Sequence, residues 1–377
     1  MHAPRRKGHR VRAFWERITE GFQIAQLWNQ FKSEARASYG LYSNDVDWDR
    51  IKGERKRVKR AFLIAWGLFQ AMLMKLSPAR RVLLLVAVVI VVLNPQYQNQ
   101  NLNLQFIGAV ILFILLALEL ADRVTMKRDL EIAREIQQWL VPDHPPQIPG
   151  FDIAFATRPQ NTVAGDYYDA FVRPVPESVS GVRQLLIVVA DVAGKSVPAA
   201  LLMATFQASL RALSATPAPF EEIIGGIDNY TRAHSLDGRR FTTSWVAEIN
   251  PQTREMLYVN AGHNDPILRR ASGQIERLAT GGPPFGLPVL SDRQGPYLSG
   301  RLQLQPGDLL FIFTDGVVEA VDRGDREYGE SRLMACIQSA PQLDAADTLK
   351  RVMDDVNAFV GYARQHDDIT ALVMRVN

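Results

Sequence analysis

At 377 residues with 47% apolar content, the chain has ample material for a folded core, which excludes a disordered tail. The net charge of +3 is a local excess: "APRRKGHRVR" and "RIKGERKRVKR" both lie upstream of residue 61, so a membrane-surface or nucleic-acid partner is implied for the N-terminal region alone. A single cysteine, Cys336, excludes an internal disulfide and is expected to be a core residue in a reducing compartment.

The first residues are basic and no apolar stretch follows in the window of a cleavable signal peptide, so the N-terminus is expected to stay where it is made. In "FWERITEGFQIAQLWNQF", Phe14, Ile18, Ala25 and Trp28 fall near one helical face, and "AFLIAWGLFQAMLM" (Ala61 to Met74) is a further apolar stretch behind a basic run. Two readings of residues 1–78 stand side by side: helices lying in the membrane interface, or a small helical packing unit on the cytoplasmic side.

Residues 79–121 hold two apolar runs, Val82 to Leu93 and Phe106 to Ala121, around the uncharged loop "NPQYQNQNLNLQ". This pattern predicts a transmembrane helical hairpin, with buried soluble strands as the alternative for such β-branched runs. The first run reaches only about 18 Å at about 1.5 Å per residue. That is short of a hydrocarbon core of roughly 30 Å, so it must borrow flanking residues or sit shallowly. Lys75, Arg80 and Arg81 precede the hairpin and Arg123, Lys127 and Arg128 follow it, which places both ends in the cytoplasm and makes the chain a multi-pass protein of the cell membrane. With the basic excess assigned to that membrane, no nucleic-acid partner is expected.

A linker helix is predicted within 122–146, ending before the prolines from Pro142 onward. Met126, Leu130, Ala133 and Leu140 make an imperfect heptad seam, interrupted by Gln137. The seam fits a homodimer through this helix, and equally a helix packed on its own domain.

From residue 147 to 377 the pattern changes to apolar strands that end in acidic turns, mixed with helices. "RQLLIVVADVAGKSVPAALLMATFQASLRAL" is strand, turn and helix, and "GDLLFIFTDGVVEAV" repeats the scheme with Leu309 to Phe313 as a buried strand. Asp166 and Asp169, Asp191, Asp315, and Asp367 with Asp368 all stand at strand ends. So many acids at one end of a core would repel one another unless a cation balanced them, and an all-oxygen set suits Mg²⁺ or Mn²⁺. "GKS" lacks the upstream glycines of a P-loop, and no arginine follows Cys336 at the spacing of a cysteine phosphatase loop.

In order, "AGDYYD", "VADVAGKSVPAALLMA", "YVNAGHNDPILRR", "TGGPPFGL", "GDLLFIFTDGVVEAVD", "YGESRL" and "DDITALVMRV" resemble the motif series of metal-dependent PPM-type serine/threonine phosphatases, in the SpoIIE/RsbU-like branch. The resemblance implies an α/β (α+β) fold, a central β-sandwich flanked by helices, here preceded by the membrane-associated region and linker helix. It implies two Mn²⁺ or Mg²⁺ ions: Asp191 bridging both, the Val192 carbonyl beside it, Asp315 and Asp367 on the second ion, and Asp166 and Asp169 completing the shell directly or through water. Asp191, Asp315 and Asp367 would be the catalytic set, with ions about 3.5–4 Å apart activating a water for in-line attack. The implied substrate is a phosphorylated regulatory partner, an anti-sigma-factor antagonist of the STAS type. A catalytically silent scaffold binding the same partner is the alternative. Two departures stand out: Ala164 and Ser196 occupy positions where the family usually has glycine, and no position is assigned to the phosphate-binding arginine of eukaryotic members. His263 is expected to stabilise a turn, and Glu319 to support a ligand or to be solvated.

Overall fold

The computed structural model describes residues 57–93, 104–175, 183–235, 238–279, 281–287, 297–339, 343–363 and 365–377. Two compact units divide between Val124 and Thr125. In the first, helices α1 (Arg57–Lys75) and α2 (Pro78–Leu93) are followed by the long helix α3 (Leu104–Leu140). A Cβ added to Gly108 of α3 would stand 2.7 Å from Val91 Cγ2, and Ala87 is fully buried, so α2 and α3 touch at small residues. At the other end of α2, Arg80 donates to Asp122 at 2.6 Å, so the two helices run antiparallel. Among the described residues α3 is the one helix long and apolar enough to cross a membrane. The 16 residues of α2 span about 24 Å at about 1.5 Å per residue. The predicted connecting loop at 94–103, and the helical face predicted around Phe14 to Trp28, lie outside the described residues.

In the second unit α3 ends at Leu140, one residue before the stretch that Pro142, Pro145 and Pro146 keep from being helical. Of the predicted seam, Leu130, Ala133 and Leu140 are half-buried within this chain, as is the interrupting Gln137, while Met126 is exposed.

Two antiparallel five-stranded sheets follow. One has the order β1 (Phe151–Arg158), β10 (Ile369–Val376), β9 (Leu309–Phe313), β6 (Ile267–Arg269), β7 (Ile275–Arg277). The other runs β2 (Tyr167–Arg173), β3 (Gln184–Val192), β4 (Thr242–Ile249), β5 (Glu255–Ala261), β8 (Gly300–Gln303). Along β3, Leu185, Ile187 and Val189 enter the core between the sheets, while Leu186, Val188 and Ala190 face helices α4 (Ser196–Ser214) and α5 (Phe220–Ala233). Covering on both faces explains why this strand is an unbroken apolar run rather than an alternating one. On the other sheet, Leu372 and Met374 of β10 point inward, and Ala371 and Val373 outward. That outer face meets the short α6 (Asp315–Val318), α7 (Glu330–Gln338) and α8 (Ala345–Val360). Cys336 packs half-buried against this outer cluster, close to its expected core role.

Candidate active site

Strand register decides where the acids go. Tyr167 opens β2 opposite Ala190, so Asp166 lies beside Asp191 at the end of β3. Phe313 closes β9 opposite Ala371 near the start of β10, so Asp315 meets Asp367 and Asp368. Both sheets therefore deliver carboxylates to the same end of the sandwich. Glycine permits the approach: a Cβ on Gly316 would lie 1.9 Å from the Asp368 carbonyl oxygen, and one on Gly165 would lie 3.2 Å from that of Val192.

Hydrogen bonds fix several of these groups. Thr314 Oγ1 donates to Asp166 Oδ2 at 3.0 Å, and the Thr370 amide donates to Thr314 Oγ1 at 3.1 Å, stitching one sheet to the other. The Asp368 carboxylate accepts from the Gln160 amide at 2.6 Å and from the Gly165 amide at 2.7 Å. Lys195 Nζ stands 2.9 Å from Asp367 Oδ2. Ser196 adopts φ 63°, the left-handed region that favours glycine, which is how the departure from the usual glycine is accommodated.

Electrostatically the end is overloaded with negative charge. Burial, then the neighbouring Asp315, Asp367 and Asp368, pushes the Asp191 carboxyl up to about 7. Burial, then Asp191, raises Asp166 in the same direction. Burial followed by Asp367 raises Asp315, and burial followed by Asp315 raises Glu319. Among the described residues no three acidic, histidine or cysteine side chains form a ready-made ion cage. The donor chemistry nevertheless fits a hard divalent cation, because it is all oxygen, anionic and mutually repelling, with one ammonium against it.

Not every predicted acid joins this group. Asp169 is fully buried on the helix-facing side of β2, where Arg211 of α4 grips it through Nε at 2.8 Å and Nη2 at 2.9 Å and the Tyr167 hydroxyl donates at 2.6 Å. The structure brings together Asp166, Asp191, Val192, Asp315, Asp367 and Asp368, and gives Asp169 a different set of partners. Arg211 had no signal in the sequence beyond being a basic residue in a helix. His263 is buried in the turn after β5, where its amide donates to Asn260 Oδ1 at 2.7 Å, Asn260 Nδ2 donates back to its carbonyl at 3.0 Å, and burial lowers its pKa to about 4.

The family described as Stage II sporulation protein E (SpoIIE) matches residues 181–377, just over half of the sequence. The chain belongs to the SpoIIE family. Among curated relatives it is 26% identical over 291 residues to protein IcfG of Synechocystis sp., covering 70% of this chain and 44% of that protein. It is 27% identical over 252 residues to phosphoserine phosphatase RsbU of Bacillus subtilis, covering 66% of this chain and 70% of that one. The fold is that of the SiaA-PP2C domain of Pseudomonas aeruginosa, with a TM-score of 0.57 at 20% identity over 68% of this chain and 99% of that domain. The SpoIIE match begins at β3 and takes in Asp191, Asp315 and Asp367; Asp166 lies before it.

Proposed function

We propose that this chain is a membrane-tethered, metal-dependent protein serine/threonine phosphatase acting on a phosphoserine or phosphothreonine of a regulatory partner. The observation that carries the reading is the delivery of Asp191 from one sheet, and of Asp315 and Asp367 from the other, to a single end of the sandwich. In this reading two ions would be held by Asp191, contributing to both, with the Val192 carbonyl and Asp166 from the same sheet and Asp315 and Asp367 from the other. Bound Mn²⁺ or Mg²⁺ ions supply Lewis acidity and an activated water, so no covalent phosphoenzyme is needed. Asp166, held by Thr314, orients its carboxylate toward Asp191, and Asp368 holds the Gly165 amide so that the loop keeps its approach to Val192. Asp169 is assigned the structural task of locking β2 to α4, with contact to the ions only through the loop it steadies.

The partner proposed is a STAS-type anti-sigma-factor antagonist in partner-switching signalling. α3 is proposed to cross the membrane with α2 as the shallow arm of a hairpin, leaving the catalytic domain in the cytoplasm. A homodimer is proposed through the linker part of α3, where Ile132, Ile136 and Trp139 are exposed. A silent scaffold would be expected to have lost at least one of Asp191, Asp315 and Asp367.

The test is phosphate release by the purified full chain in detergent, against a phosphorylated STAS-type candidate. Release should stop on chelation and return with Mn²⁺ or Mg²⁺. Undiminished turnover in chelator would end the two-ion reading, and no turnover with any added cation would favour the scaffold.

A further inference from the structure

The phosphatase reading gives helix α1 no task, yet its composition is unusual for a helix in water. From Ala61 to Met74 it carries no charged side chain, and Gln70 is its one polar side chain. Val58, Phe62, Trp66, Phe69 and Leu73 recur at a spacing of four or three, which gathers them on one face. Val58 is 85% exposed, Phe62 66% and Trp66 54%, and the Trp66 and Phe69 rings pack with their centroids 5.8 Å apart. Leu63, Ile64, Leu68 and Ala71 gather on the opposite side, where Ala71 is buried. A surface helix turns polar residues to water and an apolar stripe to a core; α1 is apolar on both sides.

Length, attachment and flanking charge say what covers the outer ridge. The uncharged stretch reaches about 21 Å at about 1.5 Å per residue, short of a hydrocarbon core of roughly 30 Å, so α1 does not cross a bilayer. It ends at Lys75 and α2 begins at Pro78, and Arg81 locks the turn between them. Arg81 Nε donates to the Leu76 carbonyl at 2.8 Å and its Nη2 donates to the Met74 carbonyl, satisfying groups that the end of a helix leaves open. Arg80, beside it, pairs with Asp122 of α3 at 2.6 Å. The end of α1 is therefore fixed to the basic end of the helix pair, the level at which α2 and α3 would leave the bilayer. At its other end, six of the nine residues from Lys52 to Arg60 are basic. An aromatic, apolar helix with cations at both ends matches the headgroup boundary, where rings sink toward the acyl chains and charged ends stay wet.

We infer that α1 lies in the plane of the membrane surface, with Val58, Phe62, Trp66, Phe69 and Leu73 turned into the acyl boundary and the flanking cations among the headgroups. The inference rests on the membrane tethering proposed above and is independent of the catalytic reading. Lipid already adjoins the corner that Arg81 locks, so the ridge is covered without recruiting a second protein.

The experiment uses the full chain reconstituted in nanodiscs of phosphatidylcholine and phosphatidylglycerol. In a Cys336→Ser background, Phe62→Cys and Trp66→Cys each carry a nitroxide, with Phe113→Cys on α3 and Tyr362→Cys as controls, because both parent side chains are exposed, at 71% and 91%. Power saturation compares collision with oxygen, which enriches in lipid, and with a nickel chelate, which stays in water. Positions 62 and 66 should favour oxygen, with nickel access several-fold below that of position 362 and a depth of about 5–10 Å, shallower than position 113. The two positions report separately, so a chain that fails to fold leaves the other to decide. Nickel access equal to that of position 362 would put the ridge in water and overturn the inference. Exclusion of both reagents would mean that protein covers the ridge, and overturns it equally. Free nickel access at position 113 as well would overturn the tethering itself, and the placement of α1 with it.

Discussion

Gln137 clasps the Ala164 peptide from both sides: its Nε2 donates to the Ala164 carbonyl at 2.7 Å, and its Oε1 accepts from the Ala164 amide at 2.9 Å. Ala164 is buried and leads directly through Gly165 to Asp166. One side chain of the linker helix thus satisfies both backbone groups of a loop residue two positions from an acid of the site.

Gln137→Leu keeps the bulk and removes both bonds, leaving a buried amide and carbonyl unpaired at a cost of about 1–3 kcal/mol. The cost falls on the loop, so Mn²⁺ affinity and turnover should drop several-fold while the melting of the sandwich changes little. Calorimetry and kinetics on one preparation check it; wild-type values for both would make the clasp incidental.

Asp169 and Asp166 should respond oppositely to the same change. Asp169→Asn weakens the grip of Arg211 and the acceptor of the Tyr167 hydroxyl, costing about 1–3 kcal/mol because Arg211 keeps contact with water. Its Mn²⁺ affinity should stay near wild type. Asp166→Asn should instead lower Mn²⁺ affinity by an order of magnitude or more, with stability in chelator unchanged or higher. Paired denaturation and metal titration decide between them, and a large metal defect in Asp169→Asn would return that residue to the ion shell.

Asp191 makes the metal-free domain sensitive to alkali. Its folded pKa of about 7 lies above the ordinary carboxylate value of 3.8, so between those pH values the folded state binds more protons than the unfolded one. Stability from this group is full below about pH 4 and is lost as pH rises through about 7. His263, lowered to about 4, contributes the opposite slope between pH 4 and 6.5, so the comparison must be made against a variant. In chelator, Asp191→Asn should flatten the loss of melting temperature between pH 5.5 and 8 and abolish turnover by orders of magnitude when metal is restored. An unchanged pH slope would mean that Asp191 is not the group that titrates.

The strands and their acidic ends were legible because two-sided burial writes itself as an apolar run: "LLIVVADV" and "LLFIFTD" each announce where the strand stops and which carboxylate follows. Asp169 is placed by the fold and not by its sequence neighbour. Its neighbour in sequence is Asp166, but its partner is Arg211, 42 residues away on another element. Gln137 read as a fault in a heptad seam because a side-chain-to-backbone bond leaves no periodic trace.

Membrane topology is tested by position. With Cys336→Ser as background, single cysteines at Asn99 and at Tyr362, which is 91% exposed, should label oppositely with an impermeant thiol reagent on intact cells. Position 99 should react from outside and position 362 only after permeabilisation. Labelling of position 362 on intact cells would overturn the proposed cytoplasmic placement of the catalytic domain.

The acids are divided between layers: Asp166 and Asp191 ride on the sheet of β2 and β3, Asp315 and Asp367 on the sheet of β9 and β10. A cation shared across that line would act as a rivet between two sheets already joined by apolar contact, the Thr314 stitch, and the Gly165–Asp368 and Lys195–Asp367 contacts. A ligand bound by the folded state alone adds about 2.7 kcal/mol of stability at a hundredfold excess over Kd. Here that increment would oppose the parting of the layers rather than the fraying of either ladder. Amide exchange slowed by Mn²⁺ would therefore fall at the ends of β2, β3, β9 and β10 together and spare the edge pairs β6–β7 and β5–β8. The divalent cation level of the compartment would then set how long the sandwich stays shut, and so how long the enzyme lasts as well as how fast it works.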